Sequence, residues 1–430
     1  MKINATLDVN AVAYEAEDEV AVLLELEAPA AAADSVRPQA SLQVVLDRSG
    51  SMSGAPLDGA KKALTALVRQ LEPTDNFGLV TFDNTAQVVV PAGSLTDKDT
   101  VIRQIESVHP GGMTDLSSGY LRGLREIRRV ATAGGTALIV SDGHVNEGIR
   151  GVDQFAAITS KAYADGVVTS TLGYGRGYDE TLLSAIARAG SGNHVFADNP
   201  DAAGAAIAGE VEGLLNKTVQ ALSLTVKFEP SVQFLRLYND LPAHQIGDGT
   251  VMIELGDLYA EEARRLLLKF KVPAMAALGL ARIATLELSY IELPGLVEHT
   301  AALPISVNVV PGDEAAGRLP DPTVHSEVLF QEAQDTKRQA SEAFERGDLG
   351  RGKRLLGETK ARLSKSLKVA PEPLKVEIRA ELDEVDRMDA VATDMGAVYM
   401  SKVSRESYHQ MNRKRGRSPR PNQAGKGETK

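Results

Sequence analysis

The chain contains no cysteine and no tryptophan, and aromatic residues make up only 4% of its 430 positions. Without thiols there is no disulfide framework, no thiolate zinc site and no cysteine nucleophile, so any metal must sit among oxygens or imidazoles. The scarcity of rings leaves the core to Ala, Val, Leu and Ile, and it argues against the aromatic platforms on which single-stranded nucleic acid stacks. No stretch approaches the roughly 18–20 consecutive apolar residues of a membrane span. The opening Met1-Lys2-Ile3-Asn4-Ala5-Thr6-Leu7-Asp8 lacks the apolar centre of a secretion signal. These absences together point to a cytoplasmic protein. What is present is a chain that is 43% hydrophobic, long enough for about two or three domains. Its formal net charge of −11 argues against general polyanion binding over the main body.

From Leu42 to about Asn216 short β-branched runs alternate with longer stretches of helical spacing, which predicts an α/β fold with a parallel sheet covered by helices. The expected strands are Leu42–Leu46, Phe77–Phe82, Ala137–Val140 and Val167–Leu172, near-continuous apolar runs suited to burial on both faces. The expected helices run from Pro56 to Leu71, Leu116 to Val130, Gln154 to Ala164 and Asp179 to Ala189. Residues 1–38 and 218–312 carry short alternating runs instead, and neither block has strands enough for a sandwich alone. They are expected to pair into one antiparallel β-sandwich domain into which the α/β domain, 39–217, is inserted. After a Pro/Gly-containing link, residues 321–412 read as a bundle of about three helices. The breaks fall near Gly347-Asp348-Leu349-Gly350 and Pro371-Glu372-Pro373, and Leu355, Leu356, Leu363 and Leu367 form a packing stripe. Residues 413–430 are basic, polar and rich in Gly and Pro, a composition that predicts a disordered tail.

Three segments carry chemistry. The first buried strand ends in Asp47-Arg48-Ser49-Gly50-Ser51, which places a carboxylate and two hydroxyls in a tight loop at the carboxyl end of a parallel strand, the edge where open α/β sheets bind ligands. Gly111-Gly112-Met113-Thr114-Asp115 opens a helix with a threonine hydroxyl, and Ser141-Asp142-Gly143 closes a later strand with a second carboxylate. Such an oxygen set suits a hard divalent cation such as Mg²⁺.

Asp-x-Ser-x-Ser after the first strand, Thr after a Gly-Gly loop, and Asp-Gly after a later strand resemble the metal-ion-dependent adhesion site (MIDAS) of von Willebrand factor type A (VWA) domains. Asp75, Phe77 and Gly173-Tyr174-Gly175 add to the resemblance, which covers about residues 41–216. It is similar to that of bacterial VWA proteins and of inter-alpha-trypsin inhibitor heavy chains, which also surround the VWA core with β structure. The resemblance implies a doubly wound, Rossmann-like sheet and a Mg²⁺ or Mn²⁺ ion held by Asp47, Ser49, Ser51, Thr114 and Asp142. It also implies one coordination position left for an Asp or Glu carboxylate of a protein partner. Met113 departs from the small residue that many members place before the threonine, which bears on the ligand rim rather than on the metal.

Each piece has a plainer reading: Asp-x-Ser-Gly-Ser makes an ordinary turn, Thr114 can cap a helix, and Asp-Gly is a common loop pair. Their joint occurrence in order at strand ends favours the metal. His109 and His144 read as solvent-facing rim residues, Asp115 as a first-turn helix acid, and Glu147 as extra charge near the site. Gly173 to Gly177 lacks a phosphate-loop lysine, and Arg346-Gly347-Asp348 is the turn between two helices. The expected function is a non-enzymatic, metal-dependent protein-binding module. The alternatives are a metal-dependent hydrolase, which would need a positioned base, and an accessory subunit of a separate ATPase complex of chelatase type.

Overall fold

The computed structural model describes residues 1–31, 37, 39–132, 134–143, 145–175 and 177–412. The expected tail at 413–430 and His144 lie outside them. The first strands are β1 (Lys2–Leu7), β2 (Ala11–Ala13) and β3 (Asp18–Glu27). The α/β portion follows as β4 (Ser41–Asp47), α1 (Ala55–Gln70), β5 (Asn76–Phe82), β6 (Ala86–Ser94), α2 (Lys98–Glu106) and α3 (Leu116–Arg128). It continues with β7 (Gly135–Ser141), α4 (Val152–Ala164), β8 (Val167–Tyr174), α5 (Glu180–Ala189), β9 (Ser191–Ala197) and α6 (Pro200–Leu215). Strands resume with β10 (Lys217–Phe228), β11 (Gln233–Leu237), β12 (Ala243–Gly247) and β13 (Thr250–Tyr259). They end with β14 (Ala263–Val272), β15 (Gly279–Glu292) and β16 (Val297–Val310), and the chain closes with α7 (Gly312–Ala316), α8 (Pro322–Glu345), α9 (Leu349–Val369) and α10 (Glu372–Asn412).

The central sheet runs β6-β5-β4-β7-β8-β9 and is parallel except for the antiparallel edge strand β6. Alternation within each strand feeds two cores. Val44, Leu46, Leu138 and Val140 face α1, α2 and α6, while Val45, Ala137 and Ile139 face α3, α4 and α5. Helix starts follow side-chain chemistry: Pro56 lies in the first turn of α1, and Asp97, Asp115 and Asp179 accept backbone N–H groups at the caps of α2, α3 and α5. Asp115 is thus the cap of α3 rather than a first-turn residue as expected.

The two flanking blocks do pair across the inserted sheet. One sheet runs β1-β3-β14-β11 and the other β12-β13-β10-β15-β16-β2, enclosing a core of Val, Leu and Ile side chains. The sandwich departs from a purely antiparallel one at β2, which pairs parallel to β16. Strand β3 is buried on both sides, because Val20, Val22, Leu24 and Leu26 face the sandwich while Ala21 and Leu23 pack under Val324 of α8. The expected link after Pro311 holds the short helix α7.

Helices α8, α9 and α10 share a core that includes Leu356 and Leu363, with Leu355 and Leu367 partly buried against it. The breaks fall where the sequence marks them. Asp348 caps α9 after Gly347, whose φ of 79° suits glycine, and Arg346-Gly347-Asp348 is indeed the interhelical turn. Helix α10 is kinked at Gly396 (φ 77°, ψ 169°), and beyond it Tyr399 and Val403 pack against the α/β core.

Asp75, singled out in the sequence, ties the chain's approach to β4 onto the approach to β5. It is fully buried, accepts two bonds from Arg37 at 2.8 and 2.5 Å, and takes the backbone N–H groups of Ala40 and Glu72. Burial works against ionisation, but the Arg37 and backbone bonds prevail and hold the carboxyl below its ordinary 3.8. A depressed acid contributes stability above its unfolded pKa and loses it as pH falls through the folded one. Asp75→Asn is therefore expected to cost about 1–3 kcal/mol at neutral pH, read as a lower urea midpoint. The deficit should shrink as pH falls below about 4.

Candidate metal centre

Strands β4 and β7 are parallel neighbours, so Asp47 and Ser141 at their carboxyl ends stand side by side. Chain crossings leave β4 toward β5 on one side and reach β7 on the other, the switch point at which open sheets leave a crevice. Asp47 is fully buried: one carboxylate oxygen accepts the Ser49 N–H at 2.8 Å and the other accepts the Ser141 hydroxyl at 2.6 Å. The loop beyond it is anchored by buried Met52 and by a bond from the Gly50 N–H to the Gly112 carbonyl at 2.9 Å.

Hydroxyls and carboxylates from separate segments then meet. The Ser49 and Ser51 oxygens lie 3.1 Å apart, and the Ser51 hydroxyl donates to Asp142 at 2.7 Å. A β-carbon placed on Gly143 would lie 3.5 Å from the Ser51 hydroxyl and 3.6 Å from that of Thr114, so the third segment reaches the same spot. The Thr114 backbone is clamped, its N–H donating to Asn146 and its carbonyl accepting from the N–H groups of Asn146 and Glu147. All five residues singled out in the sequence are brought to one crevice.

The Gly-Gly loop is needed for close approach. A β-carbon on Gly111 would fall 2.0 Å from the Asp83 carboxylate, and one on Gly112 1.8 Å from the Asn84 side-chain oxygen. Asp83 in turn pairs with Arg48 at 2.9 Å, and Asn84 links Met113 to Glu147. These supports were not assigned from sequence, although Asp83 also follows the end of a buried strand. Nothing in its sequence context marks Ser141 as the partner of Asp47. His109 is exposed, and Met113 is 46% exposed beside the crevice.

The two carboxylates of the crevice are held in surroundings that oppose their ionisation. Burial raises the Asp142 carboxyl from an ordinary 3.8 to about 6, with Asp47 adding to the rise, and burial likewise raises Asp47. In the cation-free protein the folded state therefore holds the Asp142 proton more tightly than the unfolded chain does, and stability falls as pH rises from about 4 to 6. A positive charge among these oxygens would reverse that penalty. The donor set is all oxygen, as Mg²⁺ or Mn²⁺ prefers. Among the described residues no group of three or more His, Asp or Glu side chains is placed to hold a metal ion, the crevice pairing two carboxylates with hydroxyls instead, and no helix is long and apolar enough to cross a membrane.

A family model described as the von Willebrand factor type A domain matches residues 42–205. The protein YfbK of Escherichia coli (strain K12) is 27% identical over 198 residues, covering 45% of this chain and 34% of that protein. Inter-alpha-trypsin inhibitor heavy chain H1 of Mesocricetus auratus is 26% identical over 165 residues, 35% of this chain and 18% of that one. The chain thus spans about a third or less of the length of these relatives. A solved structure, "von Willebrand factor type A from Catenulispora acidiphila", superposes with a TM-score of 0.70 at 16% identity, covering 88% of this chain and 89% of that one. The likeness of fold therefore extends through the β sandwich and the helices as well as the central sheet. With matched segment, relatives and fold in agreement, this chain carries a von Willebrand factor type A domain over residues 42–205.

Proposed function

We propose that this protein is a non-catalytic binding module that holds one Mg²⁺ or Mn²⁺ ion with Asp47, Ser49, Ser51, Thr114 and Asp142 and grips an Asp or Glu carboxylate of a protein partner. The observation that carries this reading is the meeting of Ser49, Ser51 and Asp142 oxygens at 3.1 and 2.7 Å over a buried Asp47. When bound, the cation supplies a coordination position for an incoming carboxylate. Three of the five donors are neutral hydroxyls, and the Lewis acidity of the ion at the open position attracts an anionic group. Residues 39–217 act as the metal-bearing unit in this reading. Residues 1–38 with 218–312, and 321–412, are the units that carry it.

The hydrolase alternative needs a positioned base and a free cationic group for substrate. Arg48 is instead engaged by Asp83, and His109 faces solvent. The test is capture from lysate on immobilised protein, with wild type in Mg²⁺, wild type in EDTA, and Asp47→Ala side by side. The expected result is a partner held in Mg²⁺, released by EDTA and missing from the Asp47→Ala column. A partner retained in all three would move the binding surface away from the crevice.

A further inference from the structure

The final helical segment reaches the support of the metal centre. Beyond Gly396, α10 inserts Lys402 into the α/β portion, where its side chain is 3% exposed. The ammonium donates to the Tyr178 carbonyl at 2.9 Å, forms an ion pair with Glu180, and lies 4.1 Å from the centroid of the Tyr178 ring. A lysine ammonium has three donors and no acceptor, and carbonyl, carboxylate and π face surround this one. It is a structural cation, buried only because partners meet it.

Tyr178 passes that anchoring on to the crevice. Its ring lies so close to Gly173 that a β-carbon there would sit 2.3 Å from it, and Gly173 pairs in register with Ser141, whose hydroxyl bonds Asp47. One residue before Tyr178, a β-carbon on Gly177 would lie 3.3 Å from the Asp142 carbonyl oxygen. The segment held by Lys402 thus packs against the main chain of Asp142 and, through the Tyr178 ring, behind the strand partner of Ser141. We infer that Lys402 is a positioning residue of the metal centre: it holds residues 177–180 against Asp142, so that the helical segment after Gly396 sets the cation affinity of the crevice.

This inference rests on the cation binding proposed above, and the experiment separates the two. Mn²⁺ is titrated calorimetrically into the full chain as wild type, Asp47→Ala, Lys402→Met, and the double variant Lys402→Met with Glu180→Gln. The single variant leaves Glu180 buried without its partner and is expected to melt early. The double variant removes both charges together, which folds commonly tolerate. Thermal melting without metal monitors folding in each. The expected result is a Kd weakened by about 10–100-fold in the folded double variant, the range typical when a support of a metal ligand is lost, together with no uptake by Asp47→Ala. Gly177→Ala, which presses on Asp142 without touching Lys402, should also weaken binding. A folded double variant with the wild-type Kd would overturn the inference even if its melting temperature had fallen, since that pattern is purely structural. Wild type that takes up no Mn²⁺, or Asp47→Ala that binds as wild type does, would overturn the cation reading and the inference with it.

Discussion

Asp47→Ala is expected to melt at one temperature whether or not Mg²⁺ is present, whereas the wild-type α/β transition is expected to move up by roughly 5–10 °C at a Mg²⁺ concentration near 100 times Kd. That shift follows from linkage: a ligand bound only by the folded state at 100 Kd stabilises it by about 2.7 kcal/mol. Asp47 is the residue to remove because its carboxylate is fully buried and receives both the Ser49 N–H and the Ser141 hydroxyl. Without it the loop loses its anchor and the cation loses a buried negative charge. Differential scanning fluorimetry with Mg²⁺, EDTA and Ca²⁺ measures this directly. An equal Mg²⁺ shift in Asp47→Ala would mean that the ion binds elsewhere.

The largest effect on stability is expected from Lys337→Met. Lys337 lies on α8 and is completely buried; its ammonium pairs with Glu381 of α10 and donates to the Ser407 hydroxyl at 2.8 Å. The Glu381 carboxylate also accepts from the Gln334 amide at 3.1 Å. Removing the lysine leaves a buried carboxylate facing an apolar side chain, a loss of about 3–5 kcal/mol. It should appear as an early loss of helical circular dichroism in urea. Adding Glu381→Leu is expected to recover much of the deficit, because the uncompensated charge, not the missing attraction, is the main cost. A single variant as stable as wild type would contradict the buried pair.

Both lysines show where sequence reasoning stops. A lysine on a helix ordinarily faces solvent, and nothing local to Lys337 or Lys402 says otherwise. Their partners, Glu381 and Glu180, are distant in the chain and meet them only once the helices pack. The proposed metal-binding residues were legible for the opposite reason: Asp47, Ser49, Ser51 and Asp142 sit in short motifs directly after apolar strands, and Thr114 stands between a Gly-Gly loop and the start of a helix. Strands β4, β5, β7 and β8 were legible as continuous apolar runs. Strand β9 was not, because Ser191, Asn193 and His194 interrupt it, and His194 is buried with its ring nitrogens bonded to the Thr171 hydroxyl at 2.8 Å and the Tyr178 hydroxyl at 3.3 Å. The edge strand β6 contains Pro91 and is half exposed, and α2 is only nine residues long. The pairing of the N-terminal strands with the later block could be anticipated from strand number alone. The parallel pairing of β2 with β16 could not, since three residues carry no directional signal.

Anomalous diffraction from crystals grown in Mn²⁺ locates the ion directly. One strong peak is expected in the crevice, within coordination distance of Ser49 and Ser51 oxygens and bordered by Thr114, Asp47 and Asp142. A crystal with that crevice free of Mn²⁺ at millimolar concentration, or with the ion bound only at another place, would contradict the proposed cation site.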